Sequence, residues 1–262
     1  MIEFLKTIWR REAFYPSYLI GIWINPSFII RRGLIDGLRE ISPFLQKGKL
    51  LDIGCGSKPY EELFKVEEYC GIDIEVSGHD HSSSKVDKFY DGKVIPYSDE
   101  EFNHAFSSEV FEHVFNIDEL LAEINRVLKP GGKFAFTCPF VWDEHEQPYD
   151  FARYTSFAIE HMLTQHGFKL IKLKKSTGYI ETVMQMLSVY LYQHVLPKNN
   201  YLRIILTPLV ISPINITGLI LKFFLPKNDN FYHNNIVLAE KEKNMRKTKE
   251  RDTSLLLSGN ER

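Results

Sequence analysis

The stretch that decides the fold is LLDIGCGSKPY, residues 50–60. Its leading residues, 50–53, predict a short buried strand, and Gly54 and Gly56 follow directly. Glycine has no Cβ, so its backbone adopts positive φ angles and can lie directly against a ligand. Pro59 suits the first turn of a following helix, where a missing backbone N–H costs nothing. A strand, a glycine turn and a helix N-terminus in this order predict a site for a nucleotide-type ligand.

The acidic residue in this stretch indicates which ligand. A dinucleotide fingerprint places a third small residue three positions after the second glycine, where this chain has Pro59. Here Asp52 lies inside the motif, just before the glycines. This arrangement resembles motif I of the class I S-adenosylmethionine-dependent methyltransferases, whereas a lone G-x-G would favour an ordinary strand-to-helix turn. The resemblance implies that Asp52 orients the amino group of S-adenosylmethionine through water or backbone, while Gly54, Cys55 and Gly56 face its methionine portion.

Downstream segments resemble the same family in the same order. Residues 69–74 predict the second strand, and Asp73 stands at its carboxyl end, where open α/β sheets bind ligands. The resemblance assigns Asp73 to the ribose hydroxyls and Ile74 to the adenine. Residues 91–97 resemble the family's D-x-x-x-L-P-F stretch, which implies that Asp91 lies near the adenine amino group. An Asp73 that only caps the strand is the alternative, and its spacing from Asp52 disfavours it.

The segment SSEVFEHV, residues 107–114, resembles the family's S-x-E-V-x-E-H-V pattern. The resemblance implies that Ser108 and Glu109 line the methionine end of the pocket. His113 lies further along and is expected to be structural, with a catalytic role as the alternative. Asn103 replaces the aspartate that is usual in the preceding strand, a position that is largely structural in relatives.

The most individual stretch is CPFVWDEHEQPYDFARYT, residues 138–155, which follows the predicted fifth strand. This stretch is therefore expected to lie over the carboxyl edge of the sheet, towards which the methyl group of the cofactor would point. A hydroxyl acceptor needs a base, and the intrinsic pKa of histidine makes His145 the candidate. Asp150 and Arg153 are expected to pair and fix the loop. Tyr154 is the second candidate catalytic residue.

Two alternatives stay open for this loop. It can be a structural lid without chemistry, or it can hold a divalent metal through Asp143, His145 and Glu146. Adjacent residues rarely converge on one ion, so we expect no metal. The pattern H-E-x-P-x-D-x-x-R-Y-T resembles a bacterial subgroup of type 11 methyltransferases found among surface-glycan enzymes.

Two apolar regions flank the predicted core. Residues 26–41 show helical spacing, with Arg31, Arg32 and Arg39 expected on the solvated face. Residues 180–196 predict a helix, and residues 204–221 carry no charged side chain. Prolines in that run disfavour a clean membrane span. We expect an in-plane or re-entrant membrane segment, or equally a buried cap over the substrate pocket.

Composition bounds the remaining possibilities. The chain has 262 residues, 44% hydrophobic and 25% charged, which suits one large soluble domain with additions. Its net charge of −2 gives no general attraction to nucleic acid, and no nucleic-acid partner is expected. Three widely spaced cysteines and a charged N-terminus indicate buried thiols and no secretory signal. We expect a cytoplasmic protein that could associate with the inner face of the membrane. The loop with His79 and His81 is expected to be solvated.

The sequence therefore predicts a Rossmann-like, seven-stranded α/β methyltransferase sheet with helices on both faces. The predicted divisions are a helical extension (1–46), the S-adenosylmethionine-binding core (47–176), a hydrophobic helical insert (177–230), the last strand (231–241) and a disordered tail (242–262). The predicted reaction is O-methylation of a hydroxyl on a sugar or lipid-linked glycan precursor near the membrane. Alternatives are a quinone or other lipid-like acceptor, and a non-catalytic cofactor-binding scaffold at a membrane.

Overall fold

The computed structural model describes residues 7, 9, 11–75 and 84–243. Seven strands form one sheet in the order β3-β2-β1-β4-β5-β7-β6, and β7 runs antiparallel to both neighbours. The predicted methyltransferase-type sheet is confirmed. The strands are β1 (Lys49–Ile53), β2 (Glu68–Ile74), β3 (Lys88–Tyr90), β4 (Phe102–Ser108), β5 (Leu128–Pro139), β6 (Phe168–Lys175) and β7 (Asn234–Lys241).

Helices cover both faces of this sheet. On one face, an apolar stripe that includes Leu34 and Leu38 packs against Phe106 and Leu238 of the strands. On the other face, Ile124 and Ile159 join a second buried cluster. Complete burial of each such side chain stabilises the fold by about 1.5–3 kcal/mol. The helices are α1 (Gly21–Ile24), α2 (Phe28–Ile41), α3 (Ile117–Val127), α4 (Ser156–Gln165), α5 (Tyr179–Tyr190) and α6 (Asn200–Phe224).

Two predicted features lie outside the described residues. They are the loop with His79 and His81, and all of the predicted tail beyond residue 243. Within the described part, the three cysteines are free and buried, as their spacing predicted. Thr155 accepts a hydrogen bond from the Ala158 amide and caps α4.

The expected helix after the glycine turn is wrong. The segment that follows Pro59 forms only a single 3₁₀ turn, Glu61–Leu63. Tyr60 and Phe64 on either side of it are buried and lie edge-on or tilted against Phe106. The turn ends at once because the chain must place both rings in the core before β2 begins. The glycine turn therefore has no helix N-terminus behind it.

The placement of two arginines on the solvated face of α2 is also wrong. Arg31 turns towards the sheet edge, with Nη1 at 3.5 Å from the Tyr60 hydroxyl. Arg32 donates to Asp36 at 2.9 Å and lies over the ring of Tyr18 at 4.7 Å. Helical spacing identified the buried apolar stripe of α2 correctly, but it could not show that other segments cover the flank beside that stripe.

The insert is a pair of packed helices joined to the N-terminal extension by buried polar groups. Gln185 and Ser188 of α5 donate to the carbonyl of Pro26 at 2.8 and 3.0 Å. Asn215 of α6 donates to the carbonyl of Ile22 at 3.3 Å. Buried donors are costly unless they find acceptors, so these bonds fix how the insert meets the extension. The region predicted at residues 180–196 is α5 followed by a π-helical turn, Leu191–Val195.

The last helix of the insert is more regular than its prolines suggested. Helix α6 runs unbroken for 25 residues with Pro208 and Pro213 inside it, after an Asn199 cap. Its length and mean hydropathy of 2.1 would suffice to cross a membrane, by those two criteria alone. Many of its apolar side chains are exposed, including Ile204 at 62%, Leu209 at 66% and Phe224 at 81% exposure. Much apolar surface of α6 is therefore left without a covering partner among the described residues.

Candidate functional site

A cleft of about 240 Å³ lies where the carboxyl ends of β1, β4 and β5 meet the N-terminal helix α2. This is the edge at which open α/β sheets bind ligands. No residue of α5 or α6 lines it, so the expectation that the insert caps the pocket is wrong for the described residues. The lining residues come from five regions: Phe14; Ser27, Ile30, Arg31 and Leu34 of α2 and its cap; Pro59 and Tyr60; Ser108 and Glu109; and Trp142, His145 and Glu146.

The glycine turn has the backbone geometry that the sequence predicted. Gly54 and Gly56 have φ angles of +70° and +48°. The amides of Gly54 and Cys55 both donate to the carbonyl of Ile72, at 2.9 and 3.1 Å. A Cβ at Gly54 would collide with the side chain of Val110, whereas one at Gly56 would meet nothing within 4 Å. Gly56 therefore leaves room for a ligand, and Gly54 permits close contact between the turn and the segment after β4.

Asp52 lies beneath this turn rather than in the cleft. Its side chain accepts a hydrogen bond from the Tyr69 hydroxyl at 2.7 Å, and the residue is only 3% exposed. Burial raises the pKa of Asp52 to about 7, and the hydroxyl donor partly opposes that rise. The carboxylate supports the turn from below. This position fits an action on the ligand through the backbone, one of the two routes that the resemblance implies.

The two acidic residues assigned to the nucleoside are differently placed. Asp73 ends β2, where its carboxylate accepts from the amides of Gly56 at 3.1 Å and Ile74 at 2.9 Å. It therefore links the glycine turn to the next strand at the ligand edge. Asp91 is exposed, and its Oδ1 accepts from the amides of Lys93 and Val94. The structure brings Asp73 and Ile74 to the turn, while the Asp91 carboxylate organises its own loop.

A hydrogen-bonded network holds Glu109 at the opposite side of the cleft. Glu109 has φ of +56°, and its carboxylate accepts from the Thr137 hydroxyl at 2.7 Å and the Asn234 amide at 2.5 Å. The Ser108 hydroxyl lies 2.9 Å from that of Thr137. Burial raises the pKa of Glu109 above its ordinary value. Two residues predicted from one motif are thus fixed by side chains from β5 and β7.

The sequence prediction missed Arg31, Thr137, Asn234 and Trp142. Arg31 was assigned to solvent, yet it lines the cleft, and its charge lowers the pKa of Glu109. Asn234 reaches Glu109 because β7 inserts antiparallel and brings its amino end to the carboxyl end of β5. No local motif marks either residue. Asn234 could have been predicted only from its position at the start of β7, which begins at this edge of the sheet.

The loop after β5 folds over the cleft and is fixed by an ion pair. Arg153 contacts both carboxylate oxygens of Asp150, at 2.6 and 2.7 Å, which confirms the predicted pair. This contact holds the pKa of Asp150 well below its ordinary value. The amides of Phe151 and Ala152 donate to the carbonyl of Glu112, so the loop is also tied to the segment after β4.

His145 is oriented by the same loop. Its Nδ1 lies 3.1 Å from the carbonyl of Asp143 and 3.2 Å from Oδ2 of Asp150. These acceptors favour the proton on Nδ1, so Nε2 carries the free lone pair. Asp143 approaches His145 through its main chain, an arrangement that does not favour the alternative metal site of Asp143, His145 and Glu146. The imidazole is thereby prepared to accept a proton or to bind a cation.

The structure does not bring Tyr154 to this cleft. Its ring packs against the buried cluster on the α4 side of the sheet, and its carbonyl accepts from Asn235. Burial raises the pKa of Tyr154 to about 12. A hydroxyl with that pKa is a poor general base near neutral pH. Among the two predicted catalytic residues, only His145 lines the cleft.

A second, larger groove of about 670 Å³ lies beside β6. It runs between β6 and the insert and is lined by several lysines, of which Lys172 and Lys174 pair with Glu40. The glycines of the turn line neither this groove nor the smaller cleft, but Pro59, Tyr60, Ser108 and Glu109 from the predicted motifs line the smaller one. Cavity volume alone does not identify an active site. We take the smaller cleft as the candidate site because residues of the predicted motifs line it.

Comparison with known proteins gives consistent results. A family model described as a methyltransferase domain matches residues 28–179. Two uncharacterised proteins of Methanocaldococcus jannaschii are similar: one is 28% identical over 163 residues, covering 57% of this chain and 77% of that protein. The other is 31% identical over 140 residues, covering 52% and 50%. The malonyl-acyl-carrier-protein O-methyltransferase of Methylococcus capsulatus is 26% identical over 119 residues, covering 41% and 42%. The chain thus spans half or less of the last two relatives.

Solved structures agree on the fold. An S-adenosylmethionine-dependent methyltransferase of Mesorhizobium loti superposes with a TM-score of 0.51 at 14% identity, covering 81% of this chain and all of that one. Phosphoethanolamine N-methyltransferase 2 of Haemonchus contortus, solved with S-adenosyl-L-methionine, gives 0.52 at 16% identity, covering 88% and 59%. At these identities the likeness concerns the fold alone.

Proposed function

This chain belongs to the methyltransferase-domain family and is an S-adenosylmethionine-dependent methyltransferase, and we propose that it methylates a hydroxyl of a sugar or glycan precursor held near a membrane. A small acceptor molecule is required of any such enzyme. The choice of acceptor is the proposal, and it rests on the polar lining of the cleft and on the apolar face of the insert.

The cofactor would lie along the edge from β2 to β4. Gly54, Cys55 and Gly56 would face its methionine portion, and Asp73 its ribose. The guanidinium of Arg31 is positioned to meet the carboxylate of the methionine portion, since it lines the same cleft on the α2 side. Ser108 and Glu109 would border the methyl group. S-adenosylmethionine supplies an electrophilic methyl carbon, and these residues bind and orient it.

His145 carries the proposed reaction. The acceptor oxygen attacks the methyl carbon, the carbon–sulfur bond breaks, and S-adenosylhomocysteine leaves with the bond's electron pair. The hydroxyl proton must go elsewhere, and Nε2 of His145 has the free lone pair because Asp150 and the Asp143 carbonyl face Nδ1. The observation that supports this role most directly is that His145 lines the cleft together with Ser108 and Glu109.

The lining favours a sugar over a quinone. Trp142 offers an indole face, and Arg31, Glu109 and Glu146 offer charged groups around it. Sugar hydroxyls can exchange hydrogen bonds with such charged groups, whereas a flat apolar ring cannot.

The apolar face of the insert supports a position at the inner surface of a membrane. Helix α6 exposes Ile204, Ile205 and Leu209, and at its far end Phe223 and Phe224. Exposed apolar side chains in such number support an interaction with protein or membrane. Since β7 must rejoin the sheet, we propose an in-plane or re-entrant contact, which would hold the enzyme near lipid-linked glycan precursors.

The test is methyl transfer from labelled S-adenosylmethionine to a lipid and lipid-linked glycan extract. The proposal predicts label that survives mild base, because a methyl ether resists it, and that acid hydrolysis releases on a methylated monosaccharide. Label lost in mild base would indicate a carboxyl acceptor. Label retained on an apolar ring after acid hydrolysis would indicate the quinone-like alternative. Either result would overturn the sugar assignment.

A further inference from the structure

A buried carboxylate stands beside the acceptor side of the cleft without a partner. Glu112 follows β4 in a 3₁₀ turn, Phe111–His113, and its exposure is 0%. Neither carboxylate oxygen has a hydrogen-bond partner among the residues that the structure describes. Leaving a buried carboxylate unpaired costs several kcal/mol, so such a group needs a proton, a cation or another ligand.

The neighbouring histidine directs a lone pair to the same place. Nδ1 of His113 lies 2.7 Å from the carbonyl of Tyr149, which favours the proton on that nitrogen. Its Nε2 is buried without a hydrogen-bond partner among the described residues. That nitrogen lies 3.8 Å from Oε1 of Glu112 and 3.6 Å from Oε2 of Glu146. These three atoms are too far apart for hydrogen bonds between them, but they lie around a common point.

His145 approaches that point from the loop over the cleft. Its ring lies 4.8 Å from the ring of His113, edge to face. Glu112, His113 and His145 each offer one potential ligand atom, and these three atoms lie within 4.8 Å of one another. A main-chain carbonyl oxygen lies beside Nδ1 in both histidines. At His145 the Asp150 carboxylate lies beside Nδ1 as well. This outer-shell arrangement is the one that orients metal-binding imidazoles.

We propose that Glu112, His113 and His145 bind a divalent first-row transition-metal ion, with Glu146 as a further ligand. Two imidazole nitrogens and one or two carboxylates suit ions of the Mn²⁺, Fe²⁺, Co²⁺ or Zn²⁺ type better than Ca²⁺, which prefers oxygen ligands alone. The ion supplies the positive charge that buried Glu112 lacks. Small shifts of the side chains would close the cluster onto metal-ligand distances.

The consequence for catalysis rests on the proposed function. The cluster shares His145 and Glu146 with the lining of the cleft, so a bound ion would have open positions facing the acceptor. An acceptor oxygen bound there becomes more acidic. His145 would then activate the hydroxyl as a ligand of the ion instead of as the base, and the hydroxyl proton would leave to solvent in the open cleft.

The test measures metal binding without any acceptor. Chelator-treated protein is titrated calorimetrically with MnCl₂ and CoCl₂, with CaCl₂ as the comparison, and the visible absorption of bound Co²⁺ is recorded. We expect one ion per chain for Mn²⁺ and Co²⁺, and binding weakened by at least about 100-fold in Glu112→Gln and His113→Ala. The matched control is His161→Ala, which removes an exposed imidazole on α4 and should leave binding unchanged.

Unfolding of each variant, followed by circular dichroism, separates lost binding from lost folding. If Glu112→Gln does not fold, His145→Gln on the half-buried loop serves instead. Absence of Mn²⁺ and Co²⁺ binding in the wild type, or equal binding by Glu112→Gln and the wild type, would overturn the site. A wild type that binds no ion and gains stability on Glu112→Gln would identify a proton as the occupant. Failure of the sugar assignment would show only in the labelled-product test, so the two proposals fail separately.

Discussion

The cofactor side and the acceptor side of the cleft are built in different ways. On the cofactor side, the turn of Gly54 and Gly56 and the carboxylate of Asp73 come from two adjacent strands and contact one another directly. On the acceptor side, Glu109 and Glu112 come from the segment after β4, whereas His145 comes from the loop after β5. Glu109 is held by side chains from β5 and β7, and His145 is held by Asp150 of its own loop.

This difference separates the general function from the particular one. The cofactor side is a local backbone device that recurs wherever the same ligand must be bound, so a short motif describes it. The acceptor side depends on which side chains meet across the sheet edge, so it varies with the substrate. We therefore expect substitutions on the cofactor side to alter cofactor affinity or stability, and those on the acceptor side to alter turnover.

The largest expected effect is on turnover in His145→Ala. Removing the group that activates the acceptor should lower turnover by roughly 10²- to 10⁴-fold, the usual contribution of acid–base catalysis. Cofactor affinity should stay within about 2-fold, because the imidazole lies on the acceptor side. Product formation with labelled cofactor and calorimetry measure the two quantities, with His161→Ala as control. A fully active His145→Ala would remove this residue from the chemistry.

Gly54→Ala should have the next largest effect, on stability. Its φ of +70° strains any residue with a Cβ, and the new methyl group would collide with Val110. Strain and overpacking together should lower the free energy of unfolding by about 3 kcal/mol. Gly56→Ala meets open space and carries only the strain of its φ, about 1 kcal/mol. Urea unfolding measures both variants, and equal losses would mean that contact with Val110 does not matter.

Asp73→Ala should weaken cofactor binding by roughly 10- to 100-fold. Hydrogen bonds that a charged carboxylate accepts from ligand hydroxyls contribute about 1.5–3 kcal/mol to binding. The substitution also removes the hydrogen-bond acceptor of the Gly56 amide. Asp91→Ala is the matched comparison, and it should have a smaller effect because one oxygen of Asp91 caps its own loop. Calorimetry on both variants decides the order. Unchanged affinity in Asp73→Ala would contradict the ribose assignment.

The smallest predicted effect is a change in how stability depends on pH. Burial raises the folded-state pKa of Asp52 to about 7 from an ordinary 3.8, so the folded protein binds this proton more tightly than the unfolded chain. The stability is therefore present at low pH and is lost as pH rises through about 7. Asp52→Asn should flatten this decline by at most about 2 kcal/mol between about pH 5 and pH 7.

The matched control for that measurement is Asp91→Asn, which changes an exposed carboxylate. Denaturant unfolding at several pH values gives the slopes. A steeper decline in Asp52→Asn than in the wild type would show that the buried carboxylate stabilises the folded state when ionised, against its raised pKa. The Tyr69 hydroxyl would then be the partner to examine.

The sequence predicted what local backbone chemistry decides. The glycine turn, the seven-stranded methyltransferase-type sheet and the pair of Asp150 and Arg153 all depend on residues close in sequence or on the motif order. These follow from the conformational freedom of glycine and from the pairing of nearby charges.

The sequence could not predict contacts made by distant segments. Arg31 looked solvated because helical spacing reports only the apolar stripe, yet other segments cover that flank. The prediction of a helix after the glycine turn was wrong because Tyr60 and Phe64 occupy core positions. The cluster of Glu112, His113 and His145 was invisible because the loop returns over the turn after β4. Such juxtapositions depend on the path of the whole chain.

The most direct test of the account is a calorimetric titration of S-adenosylmethionine into the wild type, Asp73→Ala and His145→Ala, with NAD as the control ligand. We predict one S-adenosylmethionine per chain in the wild type and in His145→Ala with similar affinity, much weaker binding in Asp73→Ala, and no heat from NAD. Binding that survives Asp73→Ala but is lost in His145→Ala would contradict the division of the cleft into a cofactor side and an acceptor side.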